Sequence, residues 1–351
     1  MGHDEARLTV AELEGRLGNL ARVPLAHLPT PLEEARRLSA LLGGPRILIK
    51  RDDLSGLALG GNKPRKLEFL MADALAQGAD AVVISAAAQS NMVRMTCAAA
   101  AKLGLDIYPV LRGTEDEEVQ GNLLLDHLFG AHITFIHTTD PYSQLSLDTM
   151  NGLVAELRAK GRRPYVIDMR YASGPLAAVG FVAASVELAR QLEEMRLHPS
   201  HLFVSTGSGT TQAGLVLGAA LLALPYQVVG VSVQQPANKM IPRIAEKVAG
   251  AASLLGIAGP LPASPIVVDD GYIGEAYGVP TAAGTEALKL LARSEGIILD
   301  PVYTDKGLGG LIGWIRQGRL TREDTVVFLH TGGVPALFAH SHQIAAALQE
   351  R

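Results

Sequence analysis

The sequence has one cysteine, Cys97, one tryptophan, Trp314, and only 5% aromatic residues among its 351. A single thiol excludes an internal disulfide framework and a cysteine zinc cluster. The ten histidines show no paired metal-ligand spacing. Neither sign of charge prevails. With 31 basic and 35 acidic residues the formal net charge is −4, which argues against a general nucleic-acid binder. No apolar run is long enough to span a bilayer, and the opening residues are polar and charged rather than those of a signal peptide. A cytoplasmic location without membrane or nucleic-acid partners is the resulting expectation. Internal repeats and low-complexity linkers are missing as well. What remains is an ordinary globular composition, 48% hydrophobic, with length for two domains or one large one. Cys97 lies in an apolar helical stretch and reads as packed core, and Trp314 as packing or a subunit contact.

Against that plain background the stretch Gly60-Gly61-Asn62-Lys63-Pro64-Arg65-Lys66-Leu67-Glu68 stands out. Adjacent glycines permit backbone angles closed to other residues, Pro64 suits the first helical position, and Leu67, Leu70, Met71 and Ala74 follow at helical spacing. Lys63 is therefore expected at the mouth of a helix. There the positive end of the helix dipole, together with Arg65 and Lys66, should disfavour its protonated form and leave an amine nucleophilic toward an aldehyde. The alternative is a solvated lysine after a turn. A nucleotide-hydrolase phosphate loop fails here, because Asn62 intrudes into the Gly56 to Gly61 spacing and no Ser or Thr follows Lys63.

Short apolar runs alternate with helical stretches along the rest of the chain. Ile47–Ile49, Ala81–Ile84, Ile107–Leu111, His132–Ile136, Tyr165–Ile167, Leu202–Val204, Val228–Val233 and Val326–Leu329 read as strands. Helices are expected between them, including one from Asn122 to Phe129 and one from Leu176 to Leu192. This alternation predicts an α/β fold of parallel sheets with crossover helices. In such sheets ligands gather beyond the carboxyl ends of the strands, where Ser90, Asn91, Ser208, Tyr303 and Thr331 are expected. Between the run ending at Val204 and the helix beginning at Gln212 stands Ser205-Thr206-Gly207-Ser208-Gly209-Thr210-Thr211. A turn so rich in glycine and hydroxyls points its amides at an anion. With Gln212 in place of the third glycine it is no dinucleotide fingerprint, and a phosphate monoester suits it better; a plain strand-to-helix turn is the other reading.

A reactive lysine, a phosphate cup and no metal cluster together suggest pyridoxal 5'-phosphate. The strings Gly-Gly-Asn-Lys-Pro-Arg-Lys-Leu-Glu (60–68), Gln-Ser-Asn (89–91), Thr-Gln-Ala-Gly-Leu (211–215), Asp-Pro-Val-Tyr (300–303) and His-Thr-Gly-Gly (330–333) resemble those of the D-cysteine desulfhydrase and 1-aminocyclopropane-1-carboxylate deaminase family. That family is a fold type II, tryptophan synthase β-like branch of the pyridoxal enzymes. The likeness runs from about Pro24 to Phe338. It implies two open twisted parallel-sheet domains flanked by helices, with the cofactor in the cleft between them. Lys63 would be the Schiff-base lysine, Lys66 a neighbour of the phosphate, and Gly207, Ser208, Gly209, Thr210 and Thr211 the phosphate cup. Asn91 would bond the pyridine 3'-hydroxyl. Ser90, with Gln89 beside it, would meet the substrate, and Tyr277 and Tyr303 would line the substrate side. Thr331 would share a hydrogen bond with the pyridine nitrogen, no carboxylate being present in the 330–334 turn. The reaction implied is loss of the β-substituent of a small amino acid, giving a 2-oxo acid and ammonia, with freed Lys63 as the natural base.

Thr304 and Thr331 lean toward the desulfhydrase side of the family. Met92, where the family has His or Gln, and Arg170-Tyr171-Ala172-Ser173, where it has Gly-Gly-Ser-Asn, depart from its pattern. Arg170 is either a surface residue or, facing inward, a bidentate clamp for a second acidic group. D-cysteine is the first substrate expected. L-cysteate sulfo-lyase, cyclopropane deaminase and racemase activities are the alternatives within the family, and a non-catalytic cofactor or amino-acid binding protein the alternative outside it. A nicotinamide reductase lacks its glycine fingerprint. A large domain of residues 1–66 plus 174–351, a small domain of residues 67–173, and a homodimer complete the expectations.

Overall fold

The structure, a computed structural model, describes residues 7–140, 142–170, 172–257, 261 and 264–349. It contains two sheets. The larger takes β1 (Leu32–Glu34), β2 (Arg46–Arg51), β7 (His201–Thr206), β8 (Gln227–Ser232), β9 (Val267–Asp269) and β10 (Thr325–His330) in the order β1-β2-β10-β7-β8-β9. The smaller takes β3 (Ala81–Ala87), β4 (Asp106–Arg112), β5 (Thr134–Ile136) and β6 (Pro164–Ile167) in the order β5-β4-β3-β6. Among the described strands only β1 is antiparallel to its neighbour. The central strands are apolar without alternation, as in Val326–Leu329 and Leu202–Val204, because helices cover both faces and leave no solvated side. The α/β fold read from the alternation is thus the observed one.

Two helices bring the sheets together at the functional end. The helix Lys63–Ala76 packs along the helix Gly174–Met195, and a Cβ on Gly180 would lie 2.1 Å from the Arg65 carbonyl oxygen. Only glycine permits backbones so close. The same long helix packs against Thr210–Leu221, so the amino termini of the Lys63 helix and of the helix after β7 open on one region. Leu67, Leu70 and Met71 face the smaller sheet with Val82 and Ile84, whereas Phe69 on the opposite side packs with Ala178 and Val182. Arg65 is held away from the cleft. Its guanidinium reaches Asp52 and Glu187, and Lys50 pairs with the same Glu187 carboxylate.

One sequence expectation fails here. Tyr303 does not close a strand, because Ile297–Leu299 pairs with neither sheet, and the tyrosine instead precedes the helix Thr304–Arg316. The reason is Asp300, whose carboxylate accepts hydrogen bonds from the amides of Val302, Tyr303 and Thr304 and so folds the segment into a turn. Trp314 is buried and donates its Nε1 hydrogen to Asp269, which makes it a packing residue. Among the described residues no helix is long and apolar enough to cross a membrane, and no group of three or more His, Cys, Asp or Glu side chains is arranged to hold a metal.

Candidate active site

Carboxyl ends of strands from both sheets border one cleft. From the larger sheet come Ser205 and Thr206 at the end of β7, then Gly207, Ser208, Gly209 and Thr211, and Thr331 just after β10. From the smaller come Ser85 and Ala86 on β3, Arg112 ending β4, and Met169 and Arg170 beyond β6. Lys63, Lys66, Tyr277 and Tyr303 complete the lining. Of the residues singled out in the sequence, Gln89, Ser90, Asn91 and Thr210 do not themselves border it. Ser90 caps the helix Asn91–Leu103, its Oγ accepting from the amides of Met92 and Val93. The Asn91 side chain is oriented by Asn122, whose Nδ2 donates to Asn91 Oδ1 at 3.1 Å. Gln89 is turned toward Gln120 and the Asn122 amide. Thr210 pairs with the Ser208 hydroxyl at 3.1 Å. Tyr171 lies outside the described residues.

The mouth of the Lys63 helix is fixed from several sides. Asn62 donates its amide hydrogen to the Thr331 carbonyl and its Nδ2 hydrogen to Thr211 Oγ1, at 3.0 and 3.1 Å, tying the helix start to both glycine turns. Arg94, fully buried, donates to the carbonyls of Ala58 and Gly60 in the turn just before. Lys63 Nζ lies 5.8 Å from the Tyr303 ring centroid. Burial lowers the Lys63 pKa to about 8; Asp300 opposes that shift and Arg94 assists it. The cations expected to act on it, Arg65 and Lys66, are therefore not its main causes. Arg65 is spent on Asp52 and Glu187, and desolvation outweighs any single neighbour.

Tyr303 and Tyr277 share a hydrogen bond between their hydroxyls at 2.7 Å, with the rings edge to face. Burial raises both phenol pKa values, so the pair is neutral and acts through O–H donors rather than as a phenolate. Ser205 Oγ donates to the Tyr303 carbonyl at 2.7 Å and fixes the ring's backbone. A carboxylate is after all close to the 330–334 turn: a Cβ on Gly333 would lie 2.7 Å from Asp300 Cγ. It arrives from another segment, and both its oxygens already accept hydrogen bonds from residues 302–304.

A phosphorylated cofactor fits these residues. Lys66 is 2% exposed, has no hydrogen bond or ion pair among the described residues, and faces the cleft. Burial and the charges of Lys63 and Lys247 push its pKa well down, as happens to a buried amine with no anion beside it. Beside it, the amides of Gly207, Ser208 and Gly209 and of the first residues of Thr210–Leu221 meet no protein acceptor among the described residues. Thr206 Oγ1 is likewise buried and unpartnered. Gly209 adopts φ +78°, which directs the turn into the helix start. A dianion placed there would satisfy the cation, the amides and the helix dipole together.

The family of pyridoxal-phosphate dependent enzymes matches residues 23–332. The chain belongs to that family. It is 42% identical over 338 residues to a D-cysteine desulfhydrase of Yersinia pestis (strain Pestoides F), covering 95% of this chain and 99% of that one. A D-cysteine desulfhydrase of Salmonella newport (strain SL254) is 43% identical over 336 residues, covering 93% and 98%. The crystal structure of an ACC deaminase homologue superposes with a TM-score of 0.87 at 35% identity, over 95% of this chain and 98% of that one. Both the fold type II architecture and the cofactor, pyridoxal 5'-phosphate, follow for this enzyme, and the resemblance carried by its five motifs is borne out.

Arg112, Ser85, Met169, Tyr142 and Gln234 also line the cleft and carried no signal in the sequence reading. For Arg112 a cue existed, since it ends a strand immediately before Gly113 and ligands gather at such ends.

Proposed function

We propose that this enzyme is a D-cysteine desulfhydrase-like lyase, which eliminates the β-substituent of a small amino acid to give a 2-oxo acid and ammonia. For D-cysteine the products are pyruvate, sulfide and ammonia. The observation that carries the reading is a lysine whose pKa burial lowers to about 8, set against a neutral tyrosine pair, in a chain aligned almost end to end with named D-cysteine desulfhydrases. When bound, pyridoxal phosphate supplies an aldehyde that condenses with amines and a ring that withdraws electrons.

The protein supplies position and proton handling. Lys66 and the amides of Gly207 to Thr211 would hold the phosphate, Thr331 would serve the ring nitrogen, and Asn91, steadied by Asn122, the 3'-hydroxyl. Ser90 caps the helix whose Met92 borders the cleft, and the amino terminus of that helix, where the dipole favours an anion, would stand toward the α-carboxylate. Lys63 is the condensing amine and, once released, the base at the α-carbon, already placed at the reacting atom. The Tyr277–Tyr303 pair donates hydrogen bonds on the substrate side.

Residues 67–173 form a small domain that closes over substrate, and residues 1–66 with 174–351 the large one. A homodimer in the cytoplasm is its working form. The test is parallel measurement of pyruvate, sulfide and ammonia from D- and L-cysteine, with sulfite from L-cysteate and 2-oxobutanoate from 1-aminocyclopropane-1-carboxylate. Stoichiometric pyruvate and sulfide from D-cysteine supports the reading. Retained cofactor with no keto acid from any of them would sink it.

A further inference from the structure

The turn that leads into Lys63 runs against ordinary backbone preference. Ala58, Leu59, Gly60 and Gly61 all have positive φ, at 46°, 69°, 74° and 134°, and the first two carry side chains. Such angles crowd a Cβ against the following carbonyl. Only glycine adopts them freely, so a run of four persists where the surroundings enforce it. Arg94 is the side chain that does so. It is 0% exposed, sits on the helix Asn91–Leu103, and donates from Nη1 to the Ala58 carbonyl and from Nη2 to the Gly60 carbonyl, the latter at 3.2 Å. Among the described residues its guanidinium forms no ion pair, and its Nε hydrogen meets no acceptor. A charged side chain is costly to bury, and packing alone would be served by a neutral one. What the planar fork adds is a simultaneous hold on two carbonyls of one turn.

That hold passes directly to the lysine. The Gly61 amide donates to the Asp52 carbonyl and the Asn62 amide to the Thr331 carbonyl, each at 3.0 Å, and the helix of Lys63 starts at the next residue. Gly61 is wedged from two sides. A Cβ there would lie 2.3 Å from Met95 Cε, one residue beyond Arg94, and a Cβ on Gly332 would lie 2.6 Å from the Gly61 Cα. The helix that carries Arg94 also begins with Asn91 and brings Met92 to the cleft, so the guanidinium ties the lysine-bearing turn to another wall of the site. We infer that Arg94 is a positioning residue, whose guanidinium clamps the left-handed 58–61 turn and thereby holds Lys63 at the point where it captures the cofactor. The inference rests on the reading of Lys63 as the condensing amine. The charged and titratable groups around that amine are Asp300, Arg94, Lys66 and Tyr303, and among them Arg94 is the one that also bonds the turn.

The experiment compares full-length wild type with R94Q, R94K and the triple variant A58G/L59G/R94Q. Leu59 is 67% exposed and Ala58 half-buried, so the two glycine substitutions remove strain without opening the core. Two quantities are read: hydrogen exchange of the 58–62 amides in cofactor-free protein, and the pH midpoint for capture of added pyridoxal phosphate. R94Q should speed the exchange about tenfold or more. It should also raise the midpoint from about 8 by about one unit, a tenfold change in the proton affinity of the amine. R94K, which keeps the charge but loses the fork, should fall between. The triple variant should recover part of the midpoint shift, because glycine holds left-handed angles without a clamp. Either reading unmoved in R94Q would overturn the inference; a lower melting temperature with both unmoved would make Arg94 a packing residue. No recovery in the triple variant would overturn it as well. If R94Q does not fold, R94K decides, and wild-type exchange and midpoint in that variant would overturn the inference. Equal capture by Lys63→Ala would count against the reading of Lys63 instead, while the exchange result still decides whether Arg94 holds the turn.

Discussion

Replacing Lys66 by methionine should have opposite effects on the cofactor-free and cofactor-bound protein. Without phosphate, Lys66 is a buried amine, 2% exposed, with Lys63 and Lys247 acting against its charge and no carboxylate partner among the described residues. The penalty has a ceiling, because the amine can shed its proton. From an ordinary pKa of 10.5, holding it charged at pH 7 can cost no more than about 5 kcal/mol, at 1.36 kcal/mol per pH unit. A realised cost of about 1–3 kcal/mol is the expectation for a buried polar group without a partner. Lys66→Met should therefore raise the melting temperature of cofactor-free protein by a few degrees, at about 2 °C per kcal/mol for a chain of this size. It should also flatten part of the pH dependence. A lysine whose folded pKa is depressed binds fewer protons folded than unfolded, so stability rises with pH from the depressed value toward 10.5. The methionine variant loses that contribution. Affinity for pyridoxal phosphate should instead fall by about 10- to 150-fold, the worth of a charge-assisted hydrogen bond of about 1.5–3 kcal/mol. Differential scanning calorimetry of the stripped protein and titration with the cofactor measure both. A variant that is no more stable when stripped, and binds as tightly as wild type, would refute the assignment of Lys66 to the phosphate.

Other outcomes follow from the same geometry. Cofactor capture requires the neutral form of Lys63, so its rate should climb with pH through a midpoint near pH 8 and level off above it; a midpoint near the ordinary 10.5 would mean an unshifted lysine. Gly209→Ala places a side chain at φ +78° and a Cβ 2.7 Å from Ile244 Cγ1, and should cost about 1–3 kcal/mol in thermal stability and weaken cofactor retention. Tyr277→Phe removes a buried O–H from the tyrosine pair and should lower kcat about tenfold with little change in KM, read from steady-state pyruvate release.

Much of this site was legible because its parts are local. The turn before Lys63, the glycine and hydroxyl cluster after β7 and the turn after β10 each announce themselves within a few residues, and the strand–helix alternation places all three at one end of a sheet. What stayed hidden depends on partners far apart in the chain. Arg65 sits two residues from Lys63, yet Asp52 and Glu187 draw it away, so its influence on the amine could not be judged from proximity in sequence. Asp300 was readable only as part of a motif; its capture of the amides of residues 302–304 forms the turn that holds Tyr303 and brings a carboxylate beside Gly333. Arg112 looked like an ordinary strand end, since nothing in Leu-Arg-Gly reveals that β4 delivers the guanidinium to the same cleft as Lys63.

The central claim is a covalent one, and borohydride reduction of the cofactor-loaded enzyme followed by peptide mass spectrometry tests it directly. A single pyridoxyl group on Lys63 is the predicted result. The same label on Lys66, Lys50 or Lys247, or on no lysine at all, would contradict the account.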